Sequence, residues 1–468
     1  MHGDEDQAAR RGDAERLFRA GLQEQRAGRH DAAVAAYLQA LDRDPAFDAV
    51  FNNLGAALMR VGRPEVAVPY LRRAVAAAAG SPSLGINLAR ALRAAGRLDE
   101  ALAAAGQVTQ RLPGQAEAWL VQGQLQRDAG ALAAAEASFE RALAIEPAHA
   151  EATALKAETI LLSGDLGRGW AAFEARLRLP GAQGLLRDAA RLGRPQWSGS
   201  DPRGRAILLR AEPGFGHQVM LVRFALHLAA RGASPIIEVP GELMKLFMSL
   251  RGRIGLWPEG APPPEHDLWA AVGSLPGLLG IAPADLPGPI PYLFAPGDLS
   301  PVPMPGPGAR EGLRVGLCWA GDPRHLRDRE RSVPLERLVR VVEDAGVSAV
   351  SLQVGAAAGD VARLGLQGIV RQPGRALRDF ADLALAMAGV DLVITADTAP
   401  AHLAGALGRP AWVALPFAPD WRWQVGRADS PWYPSLRLFR QERPGDWAAP
   451  LEAMADALAR RRSAIGGL

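Results

Sequence analysis

The chain has 468 residues, nearly half of them hydrophobic, which is too long for one ordinary core and predicts two or three globular domains. Its formal net charge is +3 with acidic and basic residues interspersed, which argues against a nucleic-acid-binding protein, where basic residues usually cluster. A polar start and the lack of an apolar run of roughly 18 residues predict a cytoplasmic protein without signal peptide or membrane span. Cys318 is the single cysteine of the chain, which excludes an intrachain disulfide. Its apolar setting favours a buried thiol over a nucleophile.

The first third of the chain is periodic. Glycines recur every 34 residues, at positions 28, 62, 96, 130 and 164. Small residues occupy positions 21, 55, 89, 123 and 157 of the same frame, and alanines occupy 33, 67, 101 and 135. Each unit is therefore predicted to be two amphipathic helices that approach closely at small residues and are joined by a glycine turn. An α-solenoid is expected over residues 14–180, with four good repeats and a degenerate fifth.

This period and residue pattern resemble tetratricopeptide repeats. Such arrays usually present a concave groove that binds a peptide or protein segment, and the alternative is a rigid spacer or a dimerisation surface. The fifth unit keeps Gly164 but has Gly169 and Trp170 where the alanine region should be. It is expected to cap the array and pack against the next domain.

The remainder of the chain alternates short apolar runs with helical patterns, as in βαβ units of a parallel sheet. The alternation pauses at residues 283–307, where nine of 25 positions are proline. We therefore predict two Rossmann-like halves, with a ligand cleft between them at the carboxyl ends of the strands. The predicted boundaries are 190–295 for the first half, 283–312 for a proline-rich extended linker, 313–450 for the second half and 451–468 for a C-terminal helix and tail.

The stretch "LLRAEPGFGHQ" predicts a tight turn between a strand and a helix. Gly214, Gly216 and Gln218 lie at this turn, whose backbone amides and helix dipole are expected to point into the cleft. A third glycine is missing, so the turn is not a dinucleotide fingerprint.

Two segments of the second half predict anion binding. The loop "WAGDPRHLRDRERSVPL" contains Arg324 and His325 and is suited to a diphosphate or an acidic sugar, unless it is simply a solvated basic loop. In "DLVITADTAPAHLAGALG", Asp397, Thr398 and Ala399 follow a strand, and His402 falls in the first turn of the next helix. This arrangement predicts an anion bound by the backbone amides of the turn and by Thr398. Asp397 and His402 would then contact a ribose or a phosphate. A capped structural turn would use the same residue types.

From residue 190 to 450, these segments and "DWRWQVGRADSPWYPSLRLFRQ" together resemble the catalytic region of bacterial tetratricopeptide-repeat glycosyltransferases. Those enzymes are relatives of the heptosyltransferases and, more distantly, of O-linked N-acetylglucosamine transferases. The resemblance implies a GT-B fold of two Rossmann-like domains, with the acceptor on the first and a nucleotide-sugar donor on the second. It implies no metal and no cofactor beyond the donor.

The same resemblance implies roles for individual residues on the donor side. Thr398, Ala399 and His402 would lie near the phosphates, and Asp397 at the edge of the nucleotide. Arg324 and His325 would approach the diphosphate or the sugar, and Gln353 would contact the base or the ribose. The aromatic residues of the last segment would form either a wall of the sugar site or core packing; they are Trp421, Trp423, Trp432 and Tyr433.

The resemblance implies a catalytic base at a position where this chain differs from heptosyltransferase-like sequences, which have the aspartate of a G-x-G-D corner there. Here the position is His217, which could accept a proton near neutral pH. Three roles of His217 are open. It is the catalytic base, it orients the acceptor or the donor, or it marks a corner that has lost catalysis. Glu212, on the same turn, is the second candidate for the base.

The function that this resemblance implies is that of a protein O-glycosyltransferase. It would transfer sugar from a UDP, GDP, ADP or CMP sugar to Ser or Thr of a protein captured by the repeats. Flagellin is the acceptor suggested by the resemblance. The alternatives are elongation of a glycan or lipopolysaccharide and a catalytically inactive scaffold.

Overall fold

The computed structural model describes residues 2–466 except 79, 287, 298–299, 301, 304–311, 326 and 375. The chain divides into two compact units, Met1–Thr159 and Ile160–Leu468. Among the described residues, every helix is too short or too polar to cross a lipid bilayer.

The first unit is built of helix pairs. The glycine turns predicted at 28, 62, 96 and 130 are confirmed, because each of these glycines has a φ between 72° and 76°, a left-handed conformation that glycine adopts without strain. The helices are α1 (His2–Arg26), α2 (His30–Arg43), α3 (Asp48–Arg60), α4 (Pro64–Ala77), α5 (Pro82–Ala94), α6 (Leu98–Arg111), α7 (Ala116–Asp128), α8 (Leu132–Ile145) and α9 (Ala150–Ser163), the last of which crosses into the second unit.

The small residues of the repeat frame lie where paired helices touch. A Cβ on Gly55 would lie 2.5 Å from the side chain of Leu71, and one on Gly123 would lie 2.6 Å from Phe139. Both partner side chains are fully buried. The frame therefore reflects close helix packing, because a larger residue at these positions would overlap its neighbour.

The second unit starts with the last turn of α9 and continues into a small parallel sheet. The strand order of this sheet is β3-β2-β1-β4, and all pairings are parallel. Its elements and the helices before it are α10 (Leu166–Phe173), α11 (Gln183–Arg191), β1 (Ala206–Arg210), α12 (Phe215–Ala230), β2 (Ser234–Val239), α13 (Gly241–Phe247), β3 (Gly255–Pro258), β4 (Leu268–Ala271) and α14 (Leu275–Leu278).

A second parallel sheet has the order β10-β9-β8-β5-β6-β7 in the described part of the chain. Numbered within this half, that is the Rossmann order 3-2-1-4-5-6, whose direction of winding reverses between β5 and β8. Its elements are β5 (Arg314–Cys318), α15 (Asp328–Arg331), α16 (Leu335–Asp344), β6 (Ser348–Ser351), α17 (Asp360–Arg363), β7 (Val370–Arg371), α18 (Phe380–Ala388), β8 (Leu392–Ala396), α19 (Ala399–Ala406), β9 (Ala411–Leu415), β10 (Leu436–Arg440) and α20 (Ala448–Gly466).

The predicted α/β rhythm with parallel sheets is confirmed. Cys318 ends β5 as a buried residue, and burial raises the pKa of its thiol, in keeping with the predicted structural role. The C-terminal helix begins at Ala448, three residues before the predicted boundary of 451.

The two α/β halves of the second unit meet through their helices. Helix α12 packs against α19, and α13 packs against α18. Phe215 and Phe380 touch edge to face with ring centroids 5.3 Å apart, and Lys245 pairs with Asp379 at 2.8 Å. At these helices the halves are in direct contact, where the sequence had predicted a cleft.

The predicted linker 283–312 packs against the second unit in its described middle part. The backbone amides of Tyr292 and Leu293 donate to the carbonyl of Ala406 at the end of α19, at 3.1 and 3.3 Å. The Tyr292 hydroxyl donates to the Val219 carbonyl at 2.9 Å and accepts from Arg223. Positions 287, 298–299, 301 and 304–311 lie outside the described residues.

Candidate functional site

The carboxyl end of β8 lies at the point where the winding of the six-stranded sheet reverses, which is where open α/β sheets bind ligands. All five residues of β8 are buried, and the chain turns into α19 immediately after Asp397 and Thr398. Asp397 is buried, and its Oδ1 accepts a hydrogen bond from Trp423 Nε1 at 2.6 Å. The carbonyl of Asp397 accepts from Arg331 Nη1 at 3.2 Å. The sequence prediction therefore located this strand end correctly.

Opposing effects act on the pKa of the Asp397 carboxyl. Burial and the neighbouring Asp420 carboxylate raise its pKa to about 6, although the Trp423 hydrogen bond and nearby arginines favour its ionised form. Burial alone would raise the pKa of Asp420 too, but the Arg422 guanidinium beside it lowers that pKa to about 2. Two carboxyl groups in one site thus titrate in well separated pH ranges.

The segment from Asp420 to Trp423 brings Arg422 into this site. Asp420 accepts from the Arg422 amide at 3.0 Å and from Arg422 Nη1 at 2.6 Å. The guanidinium carbon lies 4.2 Å from the centre of the Trp421 ring, a cation–π contact. The Arg422 carbonyl accepts from Trp432 Nε1 at 2.7 Å, so both the backbone and the side chain are fixed.

The backbone immediately after this segment is strained. Gln424 has φ 50° and ψ 179°, a region that residues other than glycine seldom adopt. The Val425 amide donates to the Leu162 carbonyl at 3.2 Å, and Gly164 lies against the Gln424 side chain. The end of α9 and its glycine turn therefore support the strained segment.

The corner after β1 faces the same site. Gly214 has φ 102°, so it makes the predicted turn, and α12 begins at Phe215. A Cβ on Gly216 would lie 2.8 Å from His402 Cδ2 and 3.2 Å from Ala399 Cα. Gly216 therefore allows the first turn of α12 to lie against the first turn of α19, a requirement that the sequence did not reveal.

His217 is half-buried on the first turn of α12. Burial and the nearby positive charge of Arg422 lower its pKa to about 3, although a hydrogen bond that the ring donates to the Pro213 carbonyl raises it. Its Nδ1 is the ring atom nearest to the position of a Gly214 Cβ. His217 is therefore a neutral imidazole at pH 7, as a base requires, but its low pKa makes it a weak base in this arrangement.

His402 is buried in the first turn of α19. Its Nδ1 lies 3.1 Å from the Tyr433 hydroxyl, and its ring stacks on Trp423 with centroids 5.1 Å apart. Burial and Arg422 lower the pKa of His402 well below its usual value, so this imidazole is also neutral.

The turn into α19 offers fewer amides than the sequence suggested. Pro400 has no N–H, and the Ala401 amide donates to the Thr398 carbonyl at 3.0 Å. The Thr398 hydroxyl lies 3.4 Å from the Ala396 carbonyl and 3.5 Å from the Thr395 hydroxyl. An anion at this turn would therefore be bound by the Ala399 amide together with side chains from other segments.

Glu212 is not available as a base. Its carboxylate accepts two hydrogen bonds from Arg176, at 2.9 and 2.7 Å, and one from the Gly273 amide at 2.7 Å. Burial would raise its pKa, but Arg176 and the other donors outweigh burial and lower it. To accept a proton, Glu212 would have to lose these bonds, so it fills a structural role at the ends of β1 and β4. Gln218 contributes a bond from its Nε2 to the Glu212 carbonyl at 3.2 Å.

Gln353 also fills a structural role instead of a nucleotide contact. Its Oε1 accepts from the amides of Trp319 and Ala320 at 2.9 and 3.0 Å. Its Nε2 donates to the carbonyls of Ala320 and Val354 at 2.9 and 3.0 Å. Both ends of the amide are therefore used to hold the loop after β5, which leaves no donor for a base or a ribose.

The basic loop after β5 is anchored by residues other than the two predicted ones. Arg324 is exposed and pairs with Asp322 at 2.7 Å, and His325 is exposed as well. Arg327 donates to the Ala418 carbonyl at 2.8 Å, and Arg331 contacts the end of β8 as described above. Arg324 and His325 thus lie on the solvent side of the loop, and Arg331 is its contact with the strand end.

The four aromatic residues proposed as a sugar wall or as core are all buried, which favours core packing; they are Trp421, Trp423, Trp432 and Tyr433. The sequence reasoning missed three charged residues of this region: Arg422, Asp420 and Arg176. The one signal for Arg422 was its position between two tryptophans in the segment "DWRW".

Comparisons with known proteins identify the repeats. Residues 8–82, 58–125 and 116–149 match the tetratricopeptide repeat family, so this prediction is confirmed. Protein FlbA of Caulobacter vibrioides is 30% identical over 309 residues, which cover 58% of this chain and 50% of FlbA. The chain thus spans about half the length of this relative.

Two solved structures are similar over part of the chain. MamA is 20% identical, covers 36% of this chain and 91% of its own, and has a TM-score of 0.33. A thermophilic tetratricopeptide repeat protein of Thermus thermophilus is 26% identical, covers 38% of this chain and 98% of its own, and has a TM-score of 0.32.

Proposed function

We propose that this protein is a glycosyltransferase whose repeats bind a polypeptide and whose second unit transfers a sugar from a nucleotide-sugar donor to Ser or Thr. The observation that carries the proposal is the convergence of Asp397, Thr398 and Arg422 at the reversal point of a sheet with Rossmann strand order. Two parallel α/β halves agree with the GT-B architecture implied by the resemblance. Flagellin is the first acceptor to test.

The proposed chemistry needs a base near the acceptor hydroxyl and positive groups near the phosphate that leaves with the nucleotide. In the proposed step the hydroxyl oxygen bonds to the anomeric carbon, the bond from that carbon to the donor's phosphate oxygen breaks so that the nucleotide leaves, and the hydroxyl proton passes to His217. The negative charge of the bound phosphate would offset the charge of Arg422 and so raise the pKa of His217. Donor binding would in this way convert a weak base into a better one.

The experiment begins with thermal unfolding of the full chain in the presence of UDP, GDP, ADP and CMP sugars. Stabilisation by one of them selects the donor for a transfer assay on flagellin, in which the wild type is compared with His217→Ala. The proposal predicts transfer by the wild type and a loss of about 100-fold or more in the variant, the usual contribution of a general base. No stabilisation by any donor would contradict the proposal.

Elongation of a glycan or lipopolysaccharide is separated from protein modification by a variant that lacks residues 1–149. Loss of transfer to protein with donor hydrolysis retained supports a repeat-bound polypeptide acceptor. Unchanged transfer to a glycan supports elongation.

An inactive scaffold is the second candidate function, and one observation favours it. The first turns of α12 and α19 are packed directly against each other at Gly216, where an acceptor and a donor would have to meet. A scaffold would bind protein through its repeats and show no stabilisation by any nucleotide sugar.

A further inference from the structure

A buried arginine lies at the centre of the candidate site with part of its hydrogen-bonding capacity unused. The Arg422 side chain is 6% exposed, and its Nε has no hydrogen-bond partner within the described part of the chain. An unsatisfied N–H on a buried charged group is costly, and native structures rarely keep one without a reason. The Arg422 Nε–H is therefore available to a hydrogen-bond acceptor from a bound ligand.

We propose that Arg422 binds the phosphate of the donor and that Asp420 is an internal anion whose charge weakens this binding. This inference rests on the proposed function, because it names the residue that would hold the donor's leaving group. The Asp420 carboxylate accepts a hydrogen bond from Arg422 Nη1 through one oxygen, Oδ1. Each phosphate of a nucleotide sugar has two non-bridging oxygens and can accept from Nε and an Nη nitrogen together, the two-point geometry that arginine favours.

The surroundings of Arg422 suit an anion. The first turn of α12, a helix of 16 residues, and the first turn of α19 both lie at this site. Helix N-termini carry partial positive charge and favour anions. Arg422 lowers the pKa of both His217 and His402, which shows that its charge acts on both helix starts.

Asp420 is the more exposed side chain of this pair. The Asp420 side chain is 40% exposed, whereas that of Arg422 is 6% exposed. Pro213 and Gly214, at the start of the corner, are exposed as well. A phosphate that enters from this side would pass the Asp420 carboxylate, whose negative charge repels it, so Asp420 should weaken anion binding.

The test measures binding to the full chain by isothermal titration calorimetry, with UDP, GDP, ADP, CMP and inorganic pyrophosphate as probes. Arg422→Lys keeps the charge without the planar fork, and Arg422→Gln removes the charge. Both should weaken the binding of the best probe by at least about tenfold, since hydrogen bonds to charged groups contribute this much. Arg437→Gln is the matched control, because Arg437 is an exposed arginine on β10 and should bind like the wild type.

Asp420→Asn gives a prediction of opposite sign. Asparagine keeps an oxygen to accept from the Arg422 amide but lacks the charge that competes with phosphate, so binding should tighten by about tenfold. Loss of folding cannot imitate tighter binding, so this variant decides the question even if the Arg422 variants unfold. Unchanged or weaker binding by Asp420→Asn would overturn the role of Asp420.

The outcomes separate this inference from the proposed function. Nucleotide binding by the wild type that is equal in the Arg422 and Arg437 variants would overturn the inference and leave the function standing. Pyrophosphate binding that depends on Arg422, without binding of any nucleotide, would support the anion site and contradict the function. No binding of any probe would contradict both.

Discussion

The Arg176 guanidinium holds the Glu212 carboxylate through two hydrogen bonds, 2.9 Å from Nε to Oε2 and 2.7 Å from Nη2 to Oε1. Arg176 follows α10, and Glu212 follows β1. Arg176 also donates to the Ser274 hydroxyl at 3.0 Å, and Glu212 accepts from the Gly273 amide. The segment after α10 is thereby joined to the carboxyl ends of β1 and β4 in the four-stranded sheet.

Arg176→Met should destabilise the second unit by about 3 kcal/mol, because it leaves the largely buried Glu212 carboxylate without its counter-ion. Urea unfolding of the full chain measures this change. Arg203→Met is the control, because Arg203 pairs with Asp201 at the surface and its removal should change stability little. Equal effects of the two substitutions would show that the Arg176 pair has no special role.

Asp397→Asn should change how stability depends on pH. The pKa of Asp397 is raised from an ordinary 3.8 to about 6 in the folded protein, so the folded state binds the proton more tightly than the unfolded chain does. The wild type should therefore lose stability as pH rises from about 4 through 6. The shift of about two units corresponds to about 3 kcal/mol.

The comparison isolates Asp397 because the other titrating groups near it, His217, His402 and Asp420, remain in both proteins. Asparagine keeps an oxygen for the Trp423 indole and has no charge to bury. The variant should match the wild type near pH 4 and exceed it in thermal stability at pH 7.5. A variant that is less stable than the wild type at pH 7.5 would contradict the raised pKa.

His217→Gln should have the opposite pH signature. The pKa of His217 is lowered from 6.5 to about 3 in the folded protein, so its contribution to stability is complete above pH 6.5 and is lost as pH falls toward 3. Below pH 6 the wild type should therefore lose stability more steeply than the variant. Parallel pH curves for the two proteins, measured by thermal unfolding, would show that His217 is not held in its neutral form.

Gly216→Ala should weaken the contact between α12 and α19. The added methyl group would lie 3.2 Å from the Ala399 backbone and closer still to the His402 ring, so a loss of about 1 to 3 kcal/mol is expected. Gly106→Ala is a control of opposite sign, because Gly106 is inside α6 with open space around it and alanine favours helix. A stabilising Gly216→Ala would mean that the helices do not need this close approach.

The repeats and the α/β rhythm could be predicted because each is a local pattern. A glycine every 34 residues predicts a turn at each position, and the turn needs no knowledge of distant residues. The strand ends at Arg210 and Ala396 were likewise predictable from a run of apolar residues followed by a turn.

The roles of individual polar residues were harder to predict. Gln353 at a strand end could point to a ligand or to a neighbouring backbone, and only the fold shows that the loop after β5 uses both ends of its amide. Glu212 pairs with a residue 36 positions earlier in the chain, and Arg422 meets α12 through tertiary packing. No local pattern encodes such distant contacts.

Hydrogen–deuterium exchange of the full chain, with and without UDP, GDP, ADP and CMP sugars, tests most directly whether the reversal point of the six-stranded sheet binds a nucleotide-sugar donor. We predict that one donor slows exchange in the first turn of α19 and in residues 420–424. Slower exchange confined to residues 1–159, or no change with any donor, would contradict the account.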